Sequence, residues 1–429
     1  MKALSRTRCS VRRPAAALSG TLATGAFGAL LALSSGAVSA GCGVSGGELR
    51  LLSDDWEALH VVAERAERCA GDGVIVTTER TREHKALQVA ALGVEPATYT
   101  SVIVSNNTIV PLLNDDLIRP LDELVERFAS GLPERQLVRI DGRIMAIAFN
   151  ANAQHLFYRT DLLAAAGIEP PSSYEAVLAA AETLRAERGV ATPLVGTLAA
   201  GWDLANEFVN LYLGLGGTPF VPGSGEPAIE GPTGVEALET LRALSGYMDA
   251  DFLSIDSNEL QAIWESGEPA IALGWGSRAA ALLDTEGDAP EVAANTALAA
   301  APSVDGGGVP AAALWWNGFT IARNIPDEDA EASFRIMLEA ISPALLKEHA
   351  DVSVWLVEGY EPTPESAGIL ATVDAGARPY PMLAPMSLLH AAIGDNLAEF
   401  LQGTESAQQA LRDAAQAYRS AAREQGFLD

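Results

Sequence analysis

The residues best suited to chemistry in this 429-residue chain are aromatic. Trp56, Trp202, Trp275, Trp315, Trp316, Trp355 and Tyr380 fall at strand ends or in loops, beside amides, acids or glycines. A single tryptophan is more often core than ligand platform. Several at element ends in one chain favour a cleft in which aromatic faces stack on the C–H faces of sugars, while Asn, Gln, Asp and Arg hydrogen-bond the hydroxyls. Bond-making motifs are missing. There is no phosphate loop of the form G-x-x-x-x-G-K-S/T, no G-x-G-x-x-G after a strand and no G-x-S-x-G elbow. The histidines at 60, 84, 155, 349 and 390 are scattered, without the spacing of a zinc site. Asp54-Asp55 and Asp115-Asp116 are neighbours in sequence, whereas the carboxylates of glycoside cleavage face each other across a cleft. They read as a helix cap and a solvated loop. The chain is therefore read as a binding protein with no catalytic residue, cofactor or metal.

Composition narrows the partner. Asp+Glu number 56 against 28 Lys+Arg, a formal net charge of -28. That field repels phosphate and excludes nucleic acid and anionic lipid as partners. With 48% hydrophobic residues the chain is long and apolar enough for two lobes of ordinary domain size. The first 40 residues differ. Lys2, Arg6, Arg8, Arg12 and Arg13 precede an uncharged Ala/Gly/Leu-rich stretch from Ala15 to Val38, which ends in Val38-Ser39-Ala40. This is the pattern of a secretory signal peptide cut after Ala40. No later apolar run is long enough to span a membrane, so a soluble, exported, periplasmic protein is expected. Export leaves Cys42 and Cys69 in an oxidising compartment, where they could pair. Alternatively, Ser39-Ala40-Gly41-Cys42 loosely resembles a lipobox, with Cys42 as a lipid anchor.

The elements that must position these residues begin with Glu48–Ser53, an alternating strand. A helix from Asp55 to Cys69 follows, with Asp54 and Glu57 spaced as a capping pair and Leu59, Val62, Ala66 and Cys69 on one face. Val74–Thr78 is the next strand, and this βαβ opening implies a parallel sheet. The helix returns antiparallel to the first strand, so Cys69 ends a few residues from Cys42, favouring a Cys42–Cys69 disulfide over lipidation. A helix near Glu83–Leu92 and a buried strand Ser101–Ser105 come next, with Asn106-Asn107 just past the carboxyl end where open α/β sheets present ligand loops. Two apolar runs, Arg143–Phe149 and His155–Arg159, flank the polar Asn150–Gln154. Ser172–Glu175 and Thr233–Glu236 are capping boxes opening helices, and Gly214–Pro232 is a loop. Ala270–Gly274 and Gly318–Arg323 are strands, Gly306–Gly308 a flexible loop, and Asp327–Ile341 and Thr404–Arg423 helices.

The run His155–Leu163 (HLFYRTDLL), with Ala166-Gly167-Ile168, Pro170-Pro171 and Ser172–Glu175, resembles the "LYYNKDLFKKAGI-PP-TWDE" segment of family 1 extracellular solute-binding proteins. These are the maltose-binding-like proteins that serve ABC importers. Leu112–Leu124, Ser266–Gly274, Trp316–Pro326 with Ala330–Phe334, and Pro385–Ala410 are similar to later blocks of the same family, in order. The resemblance implies an α/β, two-lobed periplasmic-binding-protein fold (type II) with ligand clamped in a cleft between the lobes. It implies an N-terminal lobe of residues 41–150 plus 299–347 and a C-terminal lobe of 151–298 plus 348–429. Crossings are expected near Asn150–Gln154, Leu298–Val304 and Leu346–Val352. The implied ligand contacts are Asp54, Asp55 and Trp56 after the first strand, Asn106 and Asn107 after the third, and Asn152 and Gln154 at the first crossing. Trp202, Trp275, Trp315, Trp316 and Asn317, with Arg378 and Tyr380 before the final helices, complete the set. The implied function is a monomeric receptor that delivers a carbohydrate to membrane permease subunits. The alternatives are a polyamine or another small metabolite in the same fold, or an exported glycoside hydrolase.

Overall fold

The computed structural model describes residues 42–71, 73–304 and 308–429. The stretch read as a signal peptide and Gly306-Gly307 of the glycine loop lie outside the described residues.

Twelve strands form two sheets among the described residues. The first sheet holds β1 (Gly47–Ser53), β2 (Val74–Arg80), β3 (Ser101–Ser105), β4 (Leu137–Ile140), β5 (Arg143–Asn152), β10 (Ala313–Ile321), β11 (Val354–Trp355) and β12 (Arg378–Pro379). The second holds β6 (Gln154–Arg159), β7 (Leu194–Gly196), β8 (Ile271–Trp275) and β9 (Thr296–Ala299). In the first sheet β1 pairs parallel with both β2 and β3, as the βαβ opening requires, and β10 runs antiparallel between β3 and β5. In the second, β7 is parallel to β8, while β6 is antiparallel to β8 and β9.

Each sheet has its own core. Leu49, Leu51 and Leu52 of β1 are fully buried, against the Leu59, Val62 and Ala66 face of the helix Glu57–Glu67 and against Phe334 and Met337 of the helix Asp327–Ala340. The second core gathers around the helix Trp202–Gly214, which is buried on nearly every side. It packs on the helices Pro232–Ser245 and Met386–Asn396. The closing helix Ala407–Glu424 adds the apolar face Ala410, Leu411, Ala414 and Tyr418. Cys42 and Cys69 are joined in a disulfide, with Cα atoms 5.4 Å apart, which ties the start of the described chain to the end of the first helix.

The chain passes between the sheets at three points before β12, which returns briefly to pair with the start of β10. The first passage is Asn152–Gln154, where β5 ends and β6 begins. The second lies later than Leu298–Val304. Ser303 still bridges Ser173 beside the second sheet, and the first sheet is entered only at Ala313. The third also lies later than Leu346–Val352. Trp355 pairs with Asn150 of β5, and the chain reaches β6 and β9 only with the helix Ala367–Asp374. The short β11 was too brief to show an alternation pattern.

Three expected caps differ. The helix Glu57–Glu67 has Trp56 at its N-cap with no side-chain cap, so the Asp54 carboxylate is not spent on the helix. Ser173, rather than Ser172, caps the helix Tyr174–Arg188, accepting from the Ala176 N–H. The helix Pro232–Ser245 starts from Gly231 with proline in its first turn, without a capping box.

Candidate functional site

The parallel strands β1, β2 and β3 end at the same edge as the start of β10, because Ser105 pairs with Asn317 and Asn152 with Trp315. The second sheet turns the end of β8 to the same place, since Gln154 pairs with Trp275. Loops at the carboxyl ends of α/β strands are where such sheets present ligand sites. Here the two sets face each other across a cavity of about 330 Å³.

Four indoles line it, those of Trp56, Trp202, Trp275 and Trp315, and the last three are in mutual contact. The Trp202 and Trp275 rings stack with centroids 6.2 Å apart, and Trp315 lies 5.4 Å from Trp202 and edge-on to Trp275 at 5.9 Å. Trp315 is held from behind by Tyr380, with ring centroids 4.1 Å apart. The buried Trp315 Nε1–H finds no acceptor among the described residues. Trp202 opens its helix and is fixed by His390. The Nε2 of His390 lies 3.0 Å from the Trp202 carbonyl, and its Nδ1 lies 2.6 Å from the Tyr380 hydroxyl. Burial lowers the His390 pKa to about 3, with the Lys85 charge adding to the effect, so the ring is neutral. One nitrogen then donates to the carbonyl and the other accepts from the tyrosine. The helix bearing His390 reaches this close because residue 394 is glycine. A Cβ there would lie 2.4 Å from the Gly201 carbonyl oxygen.

Charged groups stand around the indoles in both signs. Asp54 lies 3.4 Å from His84 Nδ1. Burial pushes its carboxyl pKa up, but the hydrogen bond and charge of His84, the Lys85 charge and the Asp55 N–H together hold it below the ordinary value. Burial raises Asp203 to about 6, against the opposing Lys85 charge. Lys85 itself lays Nζ 3.8 Å from the Trp202 ring centroid, a cation–π contact. Arg82 reaches 3.6 Å to Asp256, whose other oxygen caps the helix Ser257–Glu265. Arg278 is held by Ser257 Oγ at 3.0 Å and Asn258 Oδ1 at 2.8 Å. Lys85 and Arg82 follow β2, and Trp202 and Asp256 belong to the second half, so both contacts bridge the cleft.

Of the expected ligand residues, the cavity collects Asp54, Asp55, Trp56, Asn152, Trp202, Trp275, Trp315 and Asn317. Asn107 lines a second cavity on the far side of Trp202. The others stand elsewhere. Asn106 accepts from the Trp316 N–H at 2.9 Å and donates to the Leu314 carbonyl at 3.3 Å, pinning the start of β10. Gln154 is buried between Thr197, Glu207 and Asn210. Trp316 points to the opposite face of β10 from Trp315 and packs on the first core. Arg378 is exposed and Tyr380 buried behind Trp315. Arg82, His84, Lys85, Asp203, Asp256, Ser257, Asn258 and Arg278 were not foreseen. Arg82–Lys85 lie at the end of a parallel strand, the rule that identified Asn106 and Asn107, but the run Thr-Arg-Glu-His-Lys reads as a solvated helix start. Among the described residues no group of His, Cys, Asp and Glu is arranged to hold a metal.

Residues 93–338 match the family described as bacterial extracellular solute-binding protein, more than half of the chain. The chain belongs to this family. The solute-binding protein is similar to a probable ABC transporter-binding protein of Deinococcus radiodurans, 27% identical over 191 residues. That match takes in 43% of this chain and 44% of the relative, so less than half of the relative's length is spanned. Among solved structures, maltose-bound MalE3 of T. maritima superposes with a TM-score of 0.74 at 18% identity, covering 88% of this chain and 100% of that one. A solute-binding protein of Agrobacterium radiobacter K84 in complex with ribitol gives 0.75 at 19% identity, with 88% and 99% covered. The fold of this solute-binding protein is thus the two-lobed α/β architecture of periplasmic binding proteins. The cavity at the two sheet edges is its interlobe cleft.

Proposed function

We propose that this protein is the substrate receptor of an ABC importer and that it binds a carbohydrate in the interlobe cleft for delivery to membrane permease subunits. The observation that carries the reading is the group of Trp202, Trp275 and Trp315, with the unpartnered Trp315 N–H and the Asn152, Asp54 and Asn317 side chains on the same cavity. Aromatic faces with a few placed polar groups recognise the alternating C–H and O–H surface of a sugar. A cationic metabolite is favoured by Asp54, Asp55, Asp203 and Asp256, but Arg82, Lys85 and Arg278 line the same space and offset most of that charge. The relatives named above bind maltose and ribitol, which fits a sugar or polyol. The receptor performs no bond chemistry. Ligand shifts the population of open and closed lobes by its differential affinity, and the permease reads the closed form.

The proposed life of the chain is export with cleavage after Ala40, leaving Cys42 free to pair with Cys69 and the protein unlipidated and monomeric in the periplasm. A thermal-shift screen with sugars, polyols and polyamines tests the ligand class, since binding to the folded state raises Tm. A shift with sugars or polyols supports the reading. A shift with polyamines alone rejects it.

A further inference from the structure

The interlobe cleft is in two chambers. Beside the cavity of about 330 Å³ lies a second of about 310 Å³, and Lys85 and Trp202 line both. Their cation–π contact therefore borders both spaces. That contact has a fixed side and a loose one. Trp202 is anchored through its carbonyl to the neutral His390 and through its ring to Trp275, Trp315 and His390. Lys85 is an exposed side chain on a flexible four-carbon stem, with no hydrogen bond or ion pair among the described residues. The second chamber is mostly apolar but carries polar side chains that are unspent. The side chains of Asn107, from the first lobe, and Ser387 and Asp395, from the second, make no hydrogen bond among the described residues, though Asn107 is 8% exposed.

Resting on the carbohydrate reading, we propose that the ligand is an oligosaccharide long enough to fill both chambers. Lys85 is the movable partition it displaces, and Trp202 is the platform shared by adjoining sugar units. The first chamber alone stands at the lower end of the ~300–1,000 Å³ range of ligand pockets, room for about one or two rings. Opening the partition roughly doubles the space and adds hydrogen-bonding groups from both lobes. A longer ligand would then touch both lobes along the whole cleft, which favours closure. His390, Trp275 and Trp315 hold the Trp202 ring in place, so displacing Lys85 replaces the cation on the indole with a sugar face.

The test is a length series measured by calorimetry on the mature protein. The probes are glucose, maltose and maltotriose; N-acetylglucosamine with its β-1,4-linked dimer and trimer; and ribitol and mannitol as single-unit polyols. The expected result is at least tenfold tighter binding of the trimer than of the monomer in the series that binds. In Ala391→Trp or Ser387→Trp, either of which fills the second chamber, that ratio falls toward one. In Lys85→Ala, which removes the partition, it rises. A monomer or polyol binding as tightly as any trimer overturns the proposal and leaves the carbohydrate reading standing. So does a ratio unchanged in both chamber-filling variants, or a ratio that falls in Lys85→Ala. Binding of none of these probes overturns the carbohydrate reading and this proposal with it.

Discussion

Asn152 and Ser277 exchange two hydrogen bonds across the interlobe boundary. The Asn152 Nδ2–H donates to Ser277 Oγ at 3.2 Å, and the Ser277 N–H donates back to Asn152 Oδ1 at 3.2 Å. Asn152 is the last residue of a first-sheet strand, and Ser277 follows Trp275 in the loop leaving a second-sheet strand. The pair fastens the first crossing to the loop that presents an indole to the cleft. The same oxygen accepts the Ala153 N–H at 3.0 Å, inside the crossing itself.

Asn152→Ala is expected to lower unfolding stability by about 1–2 kcal/mol, because it strands buried partners, and to weaken ligand binding by freeing the Trp275 loop. Asn152→Asp keeps an acceptor for both N–H groups and should retain more of each property than the alanine variant. Denaturant unfolding and calorimetry on the two variants check this. Equal loss in both variants would show that the acceptor role is not what matters.

The three indoles should separate into two kinds. Trp275→Ala is expected to weaken ligand binding by about 1–3 kcal/mol, in the range of buried aromatic anchors, with little change in Tm, since this ring is only half-buried. Trp315 is 6% exposed and packs on Tyr380, so Trp315→Ala should lose affinity and also about 3–5 kcal/mol of stability, the usual cost of removing a large core aromatic. Paired calorimetry and denaturant titrations measure both. Unchanged affinity in folded Trp275→Ala returns that residue to packing.

Much of this site was legible because it hangs on strand ends. The strand Ser101–Ser105 appears in the structure with the bounds its apolar run indicates, and the loops after β1 and β3 follow from it. What hid the rest is local chemistry that looks ordinary. The strand expected at Gly318–Arg323 actually begins at Ala313, so Trp315, Trp316 and Asn317 lie within it. The register slips between Asn317 and Gly318. Gly318 allows this because a Cβ there would lie 2.6 Å from the Ile147 carbonyl oxygen. A glycine in that place reads as the start of a strand rather than as a kink inside one. Alternation then explains why Trp315 turns to the cleft and Trp316 away. Gln154 lies two residues past the end of β5, as the first residue of β6, and only the packing of the Trp202 helix reveals that its amide is consumed by Glu207 and Asn210.

The Cys42–Cys69 bridge spans 27 positions of sequence. By the chain-entropy account, closing a loop of that size restricts the unfolded chain and contributes about 3–4 kcal/mol. Cys42→Ser with Cys69→Ser should lower the unfolding free energy by that amount, read as a lower urea midpoint, with a slope that is equal or steeper because the unfolded chain is freed to expand. Ligand affinity should hold, because the bridge lies at the opposite end of β1 from Asp54. Intact mass of the exported protein checks its processing. A chain starting at Gly41 and lacking two hydrogens is expected, and one starting at an acylated Cys42 would overturn it.

Glu207 gives the protein a pH signature on its alkaline side. It is buried in the Trp202 helix, where its Oε1 accepts from Thr197 Oγ1 at 2.8 Å and from the Gln154 amide. Burial raises its pKa to about 8, outweighing those hydrogen bonds, with the Asp203 charge acting in the same direction. The folded state therefore keeps the proton through neutral pH, while the unfolded chain releases it near its ordinary value of 4.5. Wherever the folded state holds more protons, stability falls as pH rises, so Glu207 removes stability progressively from about pH 4.5 to about pH 8. Asp203, raised to about 6, acts the same way but finishes earlier. His155 and His390 oppose both at the acid end. Burial lowers them from 6.5 to about 4 and about 3, so their stability is lost only as pH falls below 6.5. Between pH 6.5 and 8 the Glu207 contribution stands apart from these three. Tm should decline across that window, and Glu207→Gln, which keeps the shape and an acceptor but has no proton to lose, should flatten the decline. Melting curves at half-unit pH steps decide it. An equally steep fall in Glu207→Gln would mean that Glu207 is already ionised in the folded protein at neutral pH.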